Sequence, residues 1–441
     1  MTTQPSPVIA AVEDQLRSAQ QWRVVACLTV LSMLAMLDKN VMTLLVAGIK
    51  ADLGLTDTQV GLIIGLAFAV ANFAVSVPAG WLADRMSRRA IVASGVVLWS
   101  CMATACGAAN SFWQMFMARA GVGFGEGIIP PASYSLIRDA VHPSVRGRAF
   151  SVYGMATSVG TGLSLILGGV LVGSIAASGL RELPIVGSVH PWQTVLIIIG
   201  IAGMPLAVLA YFFRDPGRTS GPPAATFREA WFVARPHRHA LFALLAFSSL
   251  HALMAGSLSA WLPALLGRKF GATPQVVGPI LGTLLMVCAP IGLGAAGVLM
   301  DRVRRHGIAG AGIAACGAAI VFLIAAILVP SAASLQSLWI FQAFVLVSST
   351  VYLPVTSTVV SHLLPSQAIG KTMAIYLLTQ GVVGSGLAPV IVAVVSDNVF
   401  ASDPQGLGHA LVAVLGIYGI LALVAAVALY GSLRSPAPSA S

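Results

Sequence analysis

Apolar residues along this chain come in long unbroken runs, with the polar positions gathered between them. Twelve such runs can be drawn, at about 22–49, 59–83, 90–109, 112–137, 149–176, 192–213, 240–265, 276–300, 308–329, 335–361, 370–396 and 409–432. Each is close to or longer than the roughly 20 residues that cross a bilayer core as a helix. Strands of a membrane barrel would instead show about ten residues of alternating polarity. The pattern predicts an all-α integral membrane protein with twelve transmembrane helices, numbered here as spans 1–12.

The polar stretches carry a repeat. GWLADRMSRR at 80–89 returns as GVLMDRVRR at 297–305, each after a long apolar run. Gly80 and Gly297, Asp84 and Asp301, Arg85 and Arg302, and Arg88 and Arg305 are all 217 residues apart. Gln59 and Gly61 have counterparts in Gln275 and Gly278 at nearly the same offset. The spans therefore divide into two six-helix bundles, 22–213 and 240–432, expected to be related by a pseudo-twofold axis along the membrane normal, as in many secondary transporters. A tail (1–21), a linker (214–239) and a second tail (433–441) complete the organisation. The linker is rich in Pro, Gly and Arg, and a short amphipathic helix is expected around residues 227–234, lying on the membrane surface. The final SPAPSAS reads as a disordered tail.

Composition agrees with the spans: 57% of residues are hydrophobic and 9% charged, against about a quarter charged in soluble domains. A net charge of +10 raises nucleic acid as a partner, and the distribution of that charge argues against it. Eighteen of the Lys and Arg residues fall on the side of the N-terminus and the linker, and four on the other. The positive-inside rule then places both termini in the cytoplasm and the chain in the cytoplasmic (inner) membrane. Residues 1–20 lack the apolar core and cleavage site of a signal peptide. The five cysteines lie in apolar runs without CxxC spacing, so neither a disulfide nor a metal site is expected.

Four ionisable residues lie within predicted spans: Asp38 and Lys39 in span 1, Arg119 and Glu126 in span 4. A charge at the bilayer centre costs about 2.5–3.5 kcal/mol even on lenient scales, so the four must face one another or a wet cavity. Counting 1.5 Å per residue, Asp38 lies about 24 Å along span 1, while Arg119 and Glu126 lie about 10 and 21 Å down span 4. Asp38 and Arg119 thus share a depth. Glu126 lies two turns deeper on the face of Arg119. Desolvation favours a neutral carboxyl and an adjacent cation an ionised one, so Glu126, farther from Arg119, is the better proton carrier, with Asp38 alternating between Arg119 and a proton. The competing reading is a static ion-pair network that joins spans 1 and 4.

Glycines line span 4 from Gly121 to Gly127 and span 5 at Gly154, Gly160, Gly162, Gly168 and Gly169. Small residues allow helices to approach closely and slide, so packing and gating are both open as readings. The second half holds no Asp, Glu, Lys or Arg at membrane depth; its polar residues are His251, Gln342, Tyr352, Tyr376, Thr379 and Gln380. A cavity charged on one wall and apolar-aromatic on the other suits an amphiphile or a short organic acid. Its anionic or zwitterionic head would sit on Arg119 and Lys39, with Glu126, His251, Tyr352, Tyr376 and Gln380 as further contacts.

The duplicated G-x-L-x-D-R-x-x-R-R element resembles the loop signature of the major facilitator superfamily. LDKNVMTLLVAGIKADLGLTDTQVGLIIGLAF, GVGFGEGIIPPASYSLI and HPSVRGRAFSVYG look like its spinster-like branch and bacterial relatives. The chain departs at Ser87, usually Gly in the superfamily, and at Lys39, more often Arg in spinster-like sequences. The resemblance implies that Gly80, Asp84, Arg85, Arg88, Asp301 and Arg302 form a conformational switch. Asp84 would meet the start of span 11 near Gly370–Lys371, and Asp301 the start of span 5 near Arg146–Ala149, when the cytoplasmic side closes. It also implies functional roles for the acid–base pair of span 1 and the acid of span 4. The span 5 glycines resemble the superfamily's antiporter motif without its Pro, which tilts slightly toward antiport.

No HExxH, GxSxG or Walker element is present, and short loops leave no room for a catalytic domain, so an enzyme is not expected. Nor does a duplicated twelve-helix chain with midplane charges suit a channel. The expected function is secondary active transport by alternating access, coupled to protons, with no cofactor beyond the proton gradient. The expected partners are the small-molecule or lipid-like substrate and membrane lipids, with no nucleic acid, and the chain is expected to act as a monomer. An uncoupled, scramblase-like lipid translocator is the alternative.

Overall fold

The computed structural model describes residues 7–176, 181–183, 187–217 and 227–434. Among them, eleven helical stretches are long and apolar enough to cross a membrane. In chain order the helices are α1 (Pro7–Leu53), α2 (Asp57–Ala83), α3 (Arg88–Gly107), α4a (Phe112–Gly127) with α4b (Ile129–Ala140), α5 (Pro143–Ala176) and α6 (Pro191–Tyr211). The second half follows with α7 (Arg238–Phe270), α8 (Pro274–Val303), α9 (Ala309–Ser331), α10 (Leu335–Leu363), α11 (Gln367–Asn398) and α12 (Gly406–Arg434). They form two six-helix bundles. The chain between the bundles holds the expected linker helix, Phe227–Ala234.

Three details depart from expectation. α1 begins at Pro7, so most of the segment read as an N-terminal tail continues the helix. In the loop before α6, β1 (Arg181–Leu183) and β2 (Gly187–Val189) pair antiparallel, with Arg181 opposite Val189. Span 4 is two helices, neither long enough to cross alone. Residues 218–226 of the linker and the SPAPSAS tail lie outside the described residues.

The break in span 4 has a local cause. Pro130 and Pro131 have no N–H to give to Glu126 and Gly127 one turn back. The freed Gly127 carbonyl accepts from Ser76 Oγ at 3.3 Å, and Asn72 Nδ2 donates to the Gly123 carbonyl at 3.1 Å. α2 therefore replaces the hydrogen bond that the Gly127 carbonyl cannot make within α4, as hydrocarbon demands. The glycines of α4a allow this closeness, since a methyl group on Gly123 would strike the Phe68 backbone and one on Gly127 the Asn72 backbone.

Helix starts follow the sequence. Thr56 and Gln59 form a reciprocal capping box at the head of α2, with bonds of 3.2 and 3.0 Å. Ser87, the departure from the usual Gly, caps α3 by accepting from Ala90 N. Gly54 turns the chain between α1 and α2 at φ 62°, a left-handed conformation that favours glycine.

The bundles meet along α2 with α11 and α5 with α8. α2 and α11 each contain a π-helical segment, Leu62–Ala67 and Gly381–Leu387, and the two face each other. Gly65 packs on the backbone of Ser385 and Gly386, while Gly162 and Gly169 pack on Gly282 and Gly278. One face of the molecule, here the terminal face, carries the start of α1, the end of α12, the linker and the α2–α3 and α8–α9 loops. On it Gln21 accepts from His142 N at 3.3 Å, and Asp215, just past α6, bonds Arg88 at the start of α3. The opposite, far face carries the α1–α2 loop and the ends of α7 and α11.

Candidate functional site: a central cavity and its two gates

Asp38 and Arg119 meet as their shared depth requires. Arg119 Nη1 donates to Asp38 Oδ2 at 2.6 Å, and both side chains are buried, at 1% and 0% exposure. Breaking such a pair would leave a buried charge without compensation. Phe68 of α2 lies near both cations: its ring centre is 5.5 Å from the Arg119 guanidinium and 5.3 Å from the Lys39 ammonium. The negative face of the ring attracts a cation placed over it.

Lys39 and Glu126 belong to the wall of a cavity of about 240 Å³. Its other walls include Asn72 and Phe73 of α2, Tyr134 of α4b, Tyr153, Gly154 and Thr157 of α5, and Ser385 of α11. Lys39 Nζ reaches across the bundle interface to Ser385 Oγ at 3.5 Å. Glu126 is buried, and its Oε1 has no hydrogen-bond partner among the described residues. Tyr134, half exposed, stacks edge-on against buried Tyr153, with ring centres 5.2 Å apart, on the side toward the terminal face. The arrangement offers an ammonium and a carboxyl at the cavity's depth, aromatic and amide groups along its sides, and a buried ion pair behind.

The second-half residues are placed differently. His251 is completely buried, its ring 4.2 Å from Phe322 and 5.5–5.6 Å from Tyr352 and Phe247. Tyr376 is buried and donates to the Leu241 carbonyl at 2.5 Å, tying α11 to α7 near the terminal face. Gln342 and Gln380 are buried. None of these joins the wall shared by Lys39 and Glu126, to which the second half contributes Ser385.

On the far face the bundles are locked together. Asp57 accepts from Arg268 through both terminal nitrogens, at 2.7 and 2.6 Å, and from Lys50 at 2.5 Å. Asp397 of α11 accepts from Thr58 N at 2.6 Å and Thr58 Oγ1 at 2.7 Å, capping the opening turn of α2 from the other bundle. Charge-assisted and forked bonds of this kind are the stronger ones. Beneath them the glycines of α2, α5, α8 and α11 are packed against opposing backbone.

The terminal face is the opposite case. Asp84, Arg85, Asp301 and Arg302 are exposed. Neither acid takes a hydrogen-bond or ion-pair partner among the described residues, and Arg85 lies over its neighbour Trp81 at 3.9 Å. Nothing lies within 4 Å of a methyl group built on Gly80, Gly147, Gly154, Gly297 or Gly370. These glycines sit on the same four helices as the packed ones, at the other end. The cavity is closed toward the far face and open toward the terminal face.

Arg88 separates from the rest of the repeated loop element. It is buried at 1% and donates to Asp139 at 2.5 Å, Ser135 Oγ at 3.1 Å and the Gly217 carbonyl at 2.5 Å, and also pairs with Asp215. These contacts tie α3, α4b and the segment after α6 within one bundle. Burial pushes the Asp215 carboxyl up, but the hydrogen bonds and charge of Arg88 bring it below the ordinary carboxylate range.

The major facilitator superfamily family model matches residues 28–296. The chain belongs to the major facilitator superfamily. An MFS-type efflux pump of Mycolicibacterium smegmatis is 26% identical over 426 residues, covering 95% of this chain and 93% of that protein. Protein spinster homolog 1 of Homo sapiens is 26% identical over 307 residues, covering 64% of this chain and 55% of the relative. A crystal structure described as a bacterial homolog to the human lysosomal transporter Spinster, inward-facing and unoccupied, aligns with a TM-score of 0.80 at 22% identity, covering 94% of this chain and 97% of that one. The last likeness is one of fold.

Sequence reasoning missed several residues of this major facilitator site. Asp57, Arg268 and Asp397 were invisible because they lie at span ends, where a charge costs nothing and calls for no partner. Asn72 and Phe68 were hidden within an apolar run. A polar residue in each turn of one helix face, Asn72 and Ser76, is the signal that could have found the α2–α4 contact.

Proposed function

We propose that this chain is a proton-coupled secondary transporter. It moves a small amphiphilic or organic anionic or zwitterionic solute by alternating access. The observation that carries the reading is the cavity wall that sets Lys39 and Glu126 side by side in front of the buried Asp38–Arg119 pair. A carboxyl buried without a hydrogen-bond partner is costly when ionised and cheap when neutral, so Glu126 gains or loses a proton as the cavity changes its exposure. Asp38 follows by exchanging Arg119 for a proton. Lys39, and Arg119 once released, receive the substrate's anionic head.

In this reading both termini lie in the cytoplasm and the chain in the cytoplasmic membrane, a topology that the charge distribution supports. The far-face lock then closes the outside, and the open terminal face admits solute from the inside. Asp84 and Asp301, with the open glycines near them, are the contacts awaiting closure of that face. The transporter works as a monomer, with membrane lipid and solute as its partners and the proton gradient as its energy source.

The test is flux in proteoliposomes carrying an internal pH dye. Lysophospholipids and short organic acids are first screened for thermal stabilisation of the purified chain. Substrate movement should be accompanied by proton movement, and an imposed pH gradient should drive accumulation. Flux that is indifferent to the gradient and moves no protons would overturn the coupling and favour uncoupled lipid translocation.

A further inference from the structure

At the terminal face, away from the central cavity, the linker helix leans on α7 and α11 and leaves a trough of about 110 Å³ between them. Its floor is apolar: Ala234 of the linker helix, Leu241 and Leu245 of α7, and Ile375 of α11. Trp231 and Phe242 form one lip, their rings edge-on with centres 6.4 Å apart, and both are more than half exposed. The trough therefore opens sideways, toward where hydrocarbon begins, and not into the solute pathway. Arg238 and Lys371 stand at its solvent end, with Arg235 one turn before Arg238. Arg235 and Arg238 are exposed.

We propose that this trough is a binding site for an anionic diacyl phospholipid of the leaflet at the terminal face. One acyl chain lies in the trough against Trp231 and Phe242, and the phosphodiester sits on Arg238 and Arg235, within reach of Lys371. Three observations agree on this occupant. The groove is apolar and opens laterally, which fits a chain. The cations stand at and just before the first turn of α7, the end of a span, as juxtamembrane basic residues do. An indole sits at the boundary between the two, where its ring is half apolar and half wet. A protein partner would have to reach this groove through the lipid around Phe242 and Ile375, and an inorganic anion would leave the groove itself uncovered. The site couples to transport through its walls. It joins the linker helix to the first turns of α7 and α11, and α11 is one of the helices that must move when the open terminal face closes.

The test uses the full chain in nanodiscs of phosphatidylcholine doped with phosphatidylglycerol brominated in its acyl chains. Quenching of Trp231 is read as the difference between the wild type and Trp231→Phe. Brominated phosphatidylglycerol should quench Trp231 at least about twice as strongly as brominated phosphatidylcholine at equal mole fraction, the margin expected where juxtamembrane cations recruit acidic lipid. The preference should vanish in Arg235→Gln/Arg238→Gln and persist in Arg434→Gln, which removes a charge at the same face on α12. Raising salt on the wild-type chain should erase the preference too, so a double variant that fails to fold leaves the test intact. Glycerol phosphate and inorganic phosphate, at concentrations that saturate a simple anion site, should not displace the quencher. Equal quenching by the two lipids, a preference that survives both salt and the double variant, or displacement by phosphate alone would overturn the proposal.

Discussion

The two bundles share a repeat in their sequence and the loop positions that go with it, yet they are stabilised by different chemistry. In the first, every membrane-depth charge is gathered on facing helices, Asp38 with Arg119 and Lys39 beside Glu126. Arg88 clamps three segments of that bundle together at the terminal face. Its counterpart in the second bundle, Arg305, is exposed and takes no hydrogen-bond or ion-pair partner among the described residues. The reason is visible in the sequence. The last turn of α4b holds Asp139, whereas that of α10 holds His362 and has no acid to offer. The second bundle is joined instead by packing, through the aromatic group around His251 and the Tyr376 bond to the α7 backbone. The repeat kept its exposed loop positions, while the contacts that hold each bundle together diverged. The concentration of charge on the first-bundle wall of the cavity follows from that divergence.

The largest expected effect concerns the buried pair. Asp38→Asn strands the Arg119 charge, a loss of about 3–5 kcal/mol for a buried pair with one partner removed. The variant should lose both transport and a monodisperse fold. Asp38→Asn/Arg119→Ala restores neutrality and should recover the fold, read by size exclusion and thermal melting, without recovering binding of an anionic substrate. A double variant that binds like the wild type would make Arg119 a counter-ion only.

Next comes Glu126→Gln, which keeps the shape and cannot release a proton. Gradient-driven accumulation should fall by about a hundredfold, as for the loss of a positioned proton-transfer group, while solute exchange between equal concentrations persists. Full uphill transport in the variant would return Glu126 to a packing role.

The clamp gives a smaller and more local comparison. Arg88→Gln should cost about 1.5–3 kcal/mol, the worth of hydrogen bonds to charged groups, and Arg305→Gln less than about 0.5 kcal/mol, as for an exposed side chain. Thermal melts of the two variants measure the difference, and equal shifts would dissolve the contrast between the bundles. Because the folded Asp215 carboxyl sits below its ordinary value, its contribution is complete above about pH 4, the unfolded carboxylate range. It is lost as pH falls through the lower folded value. Asp215→Asn should therefore flatten the acid side of the melting profile.

The smallest effect is expected at His251→Phe. The ring stack with Phe322 is kept and the volume nearly so, which predicts a stability change under about 1.5 kcal/mol and an unchanged substrate profile. A shifted profile would place His251 on the solute path.

Much of this molecule could be read from its residues in order. The spans were legible because hydrocarbon leaves a helix no choice but length and apolarity. The linker helix at Phe227–Ala234 showed in its mix of apolar and basic residues. The Asp38–Arg119 pair was legible because two charges at equal depth in lipid have few other places to go, so the rise per residue nearly sufficed to match them. The break in α4 stood in the sequence as Pro130 and Pro131, and was passed over because the apolar run continues through it.

Other features needed the folded chain. Where every side of a helix is apolar, periodicity does not say which side meets which neighbour. His251 could have faced the cavity as well as the aromatic group that holds it, and Tyr376 spends its hydroxyl on a backbone carbonyl that no motif marks. Asp57, Arg268 and Asp397 lie at span ends, where water would satisfy each alone, and the lock exists only because the bundles have closed on that face. The same holds for the glycines of α2, α5, α8 and α11. Sequence determined that the helices can approach closely at either end, because glycine carries no side chain. Tertiary structure decided at which end they have done so, because that depends on the tilt of one rigid bundle against the other, a long-range balance to which no single stretch of residues responds.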